Sequence, residues 1–117
     1  MAAYTVQTVT EAGITPTYTA VTATDTFTPA TADLDKTHIL HVKNAGGSPD
    51  VVVIDDPNTL SNAPGATAYN ADLTVSVTNA QERFIRLTPV RRYVQANGTV
   101  AITNSFLTTV TAAVFVA

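Results

Sequence analysis

β-Branched residues decide the fold class of this chain: threonine alone fills 22 of its 117 positions. Such side chains lose rotamer freedom in a helix and pack well on a pleated surface. A sequence built on Thr and Val therefore predicts an all-β protein. Charged residues supply only 13% of the chain, against about 25% in an ordinary soluble domain. Threonine is polar enough for a surface yet brings no charge repulsion, so a coat of Thr and Ala in place of Lys and Glu defends poorly against association. A permanent place in an assembly is the expectation that follows.

A chain of 117 residues fits one domain, residues 1–117, burying about two-thirds of the surface its unfolded form exposes. Cysteine is absent, so neither a disulfide framework nor a thiolate metal site is available, and synthesis in a cytoplasm is permitted. Met1 to Val6 lacks the basic and apolar pattern of a signal peptide, and no apolar run approaches the ~20 residues of a membrane span. A soluble chain with no membrane partner is expected. The formal charge of -3 repels nucleic acid overall and leaves only a local basic patch as an exception.

Strict alternation over Leu73-Thr74-Val75-Ser76-Val77-Thr78 predicts a half-buried strand with Leu73, Val75 and Val77 on its buried face. The C-terminal run puts Val110, Ala112, Val114 and Val116 on one face and Thr109, Thr111, Ala113 and Phe115 on the other; before it, Val100 and Ile102 fall together. Asn97-Gly98, between Tyr93-Val94 and residues 99–103, supplies the positive φ of a tight hairpin turn, so the last third reads as a meander. Further strands are expected at 4–9, 17–23, 38–43 and 51–54, where four consecutive β-branched residues suggest burial on both faces. Gly13 with Pro16, Pro29, Gly46-Gly47-Ser48-Pro49 and Thr88-Pro89 interrupt pairing. About eight short strands in one domain predict an antiparallel β-sandwich or jelly roll.

Residues 56–72 have no period, hold two prolines and exceed the length at which structureless loops become uncommon. A functional loop and a variable crossover between sheets both fit, and Leu60 and Tyr69 are its candidate partner contacts. His38 and His41 are the only histidines; their spacing sends them to opposite faces of a strand, which disfavours a shared metal. Asp50, Asp55, Asp56 and Asn58 could offer oxygens to calcium, but match no EF-hand spacing and suit ordinary turn chemistry. No metal or cofactor is expected. No Gly-x-Ser-x-Gly elbow, no cysteine nucleophile and no triad context is present, and Gly46-Gly47-Ser48 lacks the Gly-Lys of a phosphate loop, so no enzyme activity is expected.

Arg83, Arg86, Arg91 and Arg92 put four of the six basic residues within ten positions. A nucleic-acid reader would add more basic residues and exposed aromatics, whereas Phe84 and Tyr93 are expected to anchor the core. No direct nucleic-acid contact is expected; an acidic protein partner or a solvated face fits the four arginines. Asn97-Gly98-Thr99 has the form of a glycosylation sequon and is read as turn chemistry.

Four blocks, taken in order, carry a resemblance: Thr5-Val6-Gln7-Thr8-Val9-Thr10-Glu11-Ala12-Gly13-Ile14-Thr15-Pro16-Thr17-Tyr18, His38-Ile39-Leu40-His41-Val42-Lys43-Asn44, Glu82-Arg83-Phe84-Ile85 and Asn97-Gly98-Thr99-Val100. Together they resemble small structural proteins of tailed-bacteriophage heads, in particular capsid decoration (cement) proteins with a compact β-sandwich. The resemblance implies a virion protein, made in the bacterial host cytoplasm, that sits on the capsid exterior and stabilises the major capsid protein lattice. A homotrimer is the expected assembly, with a monomer as the alternative. Strand addition by the N-terminal segment or the C-terminal strand is the expected contact mode. The alternative function is a phage tail or head–tail connector subunit. A sugar-binding sandwich ranks behind both, because the chain has no Trp and only four Tyr.

Overall fold

Period-two rows of apolar residues become the facing layers of two sheets. The computed structural model describes residues 1–57, 59–60, 69–70 and 72–117. Sheet I runs in the order β1 (Ala3–Tyr4), β4 (Thr24–Phe27), β11 (Val100–Asn104), β6 (Asp50–Ile54), β9 (Leu73–Val77). Sheet II runs β10 (Gln81–Leu87), β5 (His38–Asn44), β12 (Val110–Val116), β2 (Val6–Thr8), with β3 (Thr19–Ala20) also paired to β12. A separate ladder joins β7 (Thr59–Leu60) to β8 (Tyr69–Asn70). Two short 3₁₀ turns, Thr31–Asp33 and Val90–Tyr93, complete the elements. Among the described residues no helix is long and apolar enough to cross a membrane.

The protein is all-β, with both sheets mixed: β1 pairs β4 in parallel, β2 pairs β12 in parallel, and the other ladders are antiparallel. More strands form than the eight or so expected, because β1, β2, β3, β7 and β8 are pieces of two or three residues. Leu40, Val42, Val110 and Val114 of sheet II meet Phe27, Val52, Ile54 and Ile102 of sheet I in one buried cluster. Each such side chain contributes about 1.5–3 kcal/mol relative to leaving it in water.

Two polar groups fix the ends of this sandwich. Asp25 is fully buried and accepts from the Ala2 backbone N–H (2.9 Å), the Tyr4 and Thr22 hydroxyls, the Thr22 N–H and the Asn104 amide (3.3 Å). Burial pushes its carboxyl up, but these donors outweigh burial and hold it below the usual carboxylate range. The contacts tie the first residues to sheet I before the chain crosses at Thr5 to sheet II. The Asn44 amide donates to the carbonyls of Ser48 (2.8 Å) and Val77 (3.0 Å), while its oxygen accepts from the Gly46 N–H (2.9 Å). Sheet II is thereby joined to β9 of sheet I. Gly46 is needed in that turn, since a Cβ there would lie 2.4 Å from the Phe106 ring and 2.5 Å from the Thr108 carbonyl oxygen.

Three expectations are corrected. The last third is no meander: β11 lies in sheet I and β12 in sheet II, because their apolar rows face each other across the core. Asn97-Gly98 does turn the chain, with Gly98 at φ 87° and the Asn97 side-chain oxygen accepting from the Thr99 N–H, yet only a single Val94–Val100 bridge forms. Residues 51–54 are not buried on both faces; Val52 and Ile54 are buried while Val51 is 38% exposed, since alternation turns Val51 away from the core. The C-terminal strand is unavailable for strand addition, because β12 is paired on both sides.

In β9 the alternation is realised, with Val77 fully buried and Thr74 and Ser76 exposed. Val77→Asp should cost several kcal/mol by placing an unpaired carboxylate in the core, whereas Ser76→Asp should stay within about 0.5 kcal/mol of the native chain. Chemical denaturation of the two variants checks this; equal stabilities would contradict the register.

Candidate functional site

The outer face of sheet II carries an apolar groove. Along β5 the inner row is His38, Leu40, Val42 and Asn44, so Ile39, His41 and Lys43 point outward. The register aligns Phe84 of β10 with His41, and Arg86 with Ile39 and then Phe115. Phe84 lies flat on the His41 ring, with centroids 4.0 Å apart and planes 12° apart. Tyr18 meets His41 edge-on, its hydroxyl 2.7 Å from Nδ1, and Lys43 Nζ sits 4.0 Å over the Tyr18 ring.

A loop closes one side of this face. Gln7 grips Thr17 with two hydrogen bonds, its amide donating to the Thr17 carbonyl and its oxygen accepting from the Thr17 N–H, both 2.8 Å. The Gly13 N–H donates to the Thr10 carbonyl (2.9 Å), with Gly13 at φ 83°, so residues 10–13 form a turn. The intervening chain is laid against the sheet. The result is an open groove lined by Val9, Ile14, Pro16, Tyr18, Ile39, His41, Phe84 and Phe115. Val9 and Phe84 are 46% and 68% exposed, and apolar side chains grouped in this way mark an interaction site more than a solvated face does.

His41 is the polar centre of the groove. Burial lowers its pKa; the Glu82 charge raises it and the Lys43 charge lowers it. Glu82 Oε1 is 3.5 Å from Nε2, too long for a good hydrogen bond, and Nε2 has no hydrogen-bond partner. His38, on the inner row, stacks on Phe27 and is likewise lowered, chiefly by burial. The two histidines therefore occupy opposite faces and share no ligand.

The four arginines do not form one patch. Arg83 and Arg86 alternate between the two faces of β10. Arg91 makes an exposed two-pronged contact with Asp35, at 3.0 and 3.3 Å. Arg92 Nε donates at 2.8 Å to Asp56, which is buried. The aspartates separate too: Asp50 accepts from the N–H groups of Ser105 and Phe106, Asp55 from Gln95, and Asp56 from Arg92. Among the described residues no group of three His, Asp or Glu side chains is placed to hold a metal. Asn58 lies outside the described residues. Leu60 and Tyr69 face each other in the β7–β8 ladder, and their side chains lie outside the described residues. Tyr93 anchors the core as expected, but Phe84 does not. The signal was in the parity: Phe84 alternates with Ile85 and Leu87 and falls in register with Glu82 and Arg86.

No protein-family model, curated protein or solved structure matches the chain. The groove therefore stands on its own geometry.

Two outcomes follow. Arg92→Ala should destabilise the fold by about 1–3 kcal/mol, because a buried carboxylate loses a charged donor, while Arg91→Ala should leave the melting temperature near that of the native chain; urea titration and thermal melts compare them. Both histidines have depressed folded pKa values, so their contribution is present above the unfolded value of about 6.5 and lost as pH falls through the folded values. The melting temperature should drop between about pH 8 and pH 5, and His41→Gln should shrink the drop. Asp50 works in the opposite sense, since burial raises its pKa and its folded form takes up a proton before its unfolded form does. A melting temperature that rises on acidification through this range would contradict the assignment.

Proposed function

We propose that this chain is a structural virion protein, a capsid decoration (cement) protein that binds the outer surface of an assembled shell and stabilises the major capsid protein lattice. One observation carries the reading. Three of the four sequence blocks that resemble phage head proteins are separated widely along the chain, yet they meet at one surface. Residues 5–18 supply the wall of the groove, 38–44 its floor, and 82–85 its opposite rim. The inner residues of these blocks, Leu40, Val42 and Ile85, serve the core, while Val9, Ile14, Pro16, Tyr18, Ile39, His41 and Phe84 line the groove; it is this outward set that supports a contact surface.

The mechanism is linkage. A protein that binds the assembled lattice and not its separated subunits stabilises the lattice by mass action, about 2.7 kcal/mol per site at 100 times the dissociation constant. Many copies multiply the effect. The charge-poor surface suits an apolar and hydrogen-bonded contact with the major capsid protein, with no catalytic step and no cofactor. The groove on sheet II, and not the ion-paired Arg91 and Arg92, is the preferred contact.

The test is addition of the purified chain to expanded capsids that lack it. Saturation at a fixed ratio to the major capsid protein, with a higher temperature of DNA release, is the expected result. Phe84→Asp should weaken attachment at least ~tenfold while the isolated chain stays folded by circular dichroism. Failure of the native chain to bind shells, together with assembly into rings or tubes visible by negative stain, would favour a tail or head–tail connector subunit instead.

A further inference from the structure

We propose that β10 is a self-complementary edge, through which two copies of this chain join sheet II to sheet II about a two-fold axis at Phe84. The inference is independent of what the groove binds. Among the described residues β10 has a strand neighbour, β5, on one side only, so one row of its backbone N–H and C=O groups is unpaired by strands.

Which groups form that row follows from the register. In an antiparallel ladder, pairs that exchange both hydrogen bonds alternate with pairs that exchange none. The Ala45 N–H donates to the Thr109 carbonyl at 3.1 Å, continuing the β5–β12 register, so the odd-numbered residues of β5 bond to β12. The even-numbered ones then bond to β10. Their partners there are Gln81, Arg83, Ile85 and Leu87, which leaves the N–H and C=O of Glu82, Phe84 and Arg86 directed away from the sheet.

The same three residues point their side chains to the outer face, and their order is Glu, Phe, Arg. In an antiparallel pair centred on Phe84, Glu82 stands opposite Arg86 of the second copy, Arg86 opposite its Glu82, and Phe84 opposite its Phe84. All three are then hydrogen-bonded pairs made from the free groups. The charges are complementary across each pair and the aromatic rings meet at the axis. Neighbouring registers fail. A slip of two residues one way sets Arg83 against Arg83 and loses both ion pairs; the other way sets Glu82 against Thr88. At the other edge of this side of the sandwich, β9 carries no charged residue and has no such code. A two-fold contact is isologous and closes on itself, so it yields a dimer and not a tube. Because the axis is perpendicular to the sheet, both grooves face the same side of one continuous sheet.

Sedimentation equilibrium of the purified full chain over a range of concentrations tests this. The native chain should show a reversible monomer–dimer equilibrium. Glu82→Arg alone, and Arg86→Glu alone, should each weaken the homodimer at least ~tenfold, since each sets like charges face to face. An equimolar mixture of the two variants should recover dimer, because the two substituted side chains, opposite in charge, would then face each other across the axis. The double variant E82R/R86E should recover it as well, which separates charge pairing from damage to the fold. A chain that stays monomeric throughout, a trimer, a dimer indifferent to both single changes, or a mixture that fails to recover would each overturn the proposal.

Discussion

The ladder between β5 and β12 is the constraint on which the rest depends. It pairs seven residues on each strand without a break, from His38 opposite Val116 to Asn44 opposite Val110. One face of that platform is the sealed floor of the core, where Leu40, Val42, Val110 and Val114 are almost wholly removed from water. Its other face presents Ile39, His41 and Phe115 to the groove. A slip of one residue would exchange the two faces, burying Lys43 and exposing Leu40. Register, core and surface are therefore a single choice.

Without disulfides, the chain secures its ends with buried polar hubs. Asp25 gathers donors from the N-terminus, the Thr22 turn and Asn104, and Asn44 bridges its own turn to β9. A buried carboxylate is costly unless its hydrogen bonds are made, and here several donors are supplied. The return is positional: the first strand is held where it can cross from one sheet to the other. Burial of His38 and His41 carries a cost of a different kind, because neither ring can be charged in place without loss.

The fold alone does not set the function, because many unrelated activities share it. Apolar side chains at the groove and an edge strand with its own charge order are the observations that support the proposed association. The groove and the β10 edge adjoin at Phe84, which lines one and centres the other.

Composition and period determined the all-β class, the inward rows of β9 and β12 and the opposite facing of His38 and His41, because β propensity and side-chain alternation act within a few residues. They also showed that Asn97-Gly98 turns the chain. Which sheet each strand joins was decided only by the tertiary structure: β11 and β12 look like consecutive strands of a meander, and only the packing of one apolar row on another sends them to opposite layers. The arginines show the same limit. Adjacent in sequence, Arg91 and Arg92 are separated in role by Asp35 and Asp56, acidic partners from distant segments that no local window contains. Aromatic character alone marks Phe84 as core, but its parity with Glu82 and Arg86 puts it on the outer face of β10, beside the buried Ile85 and Leu87.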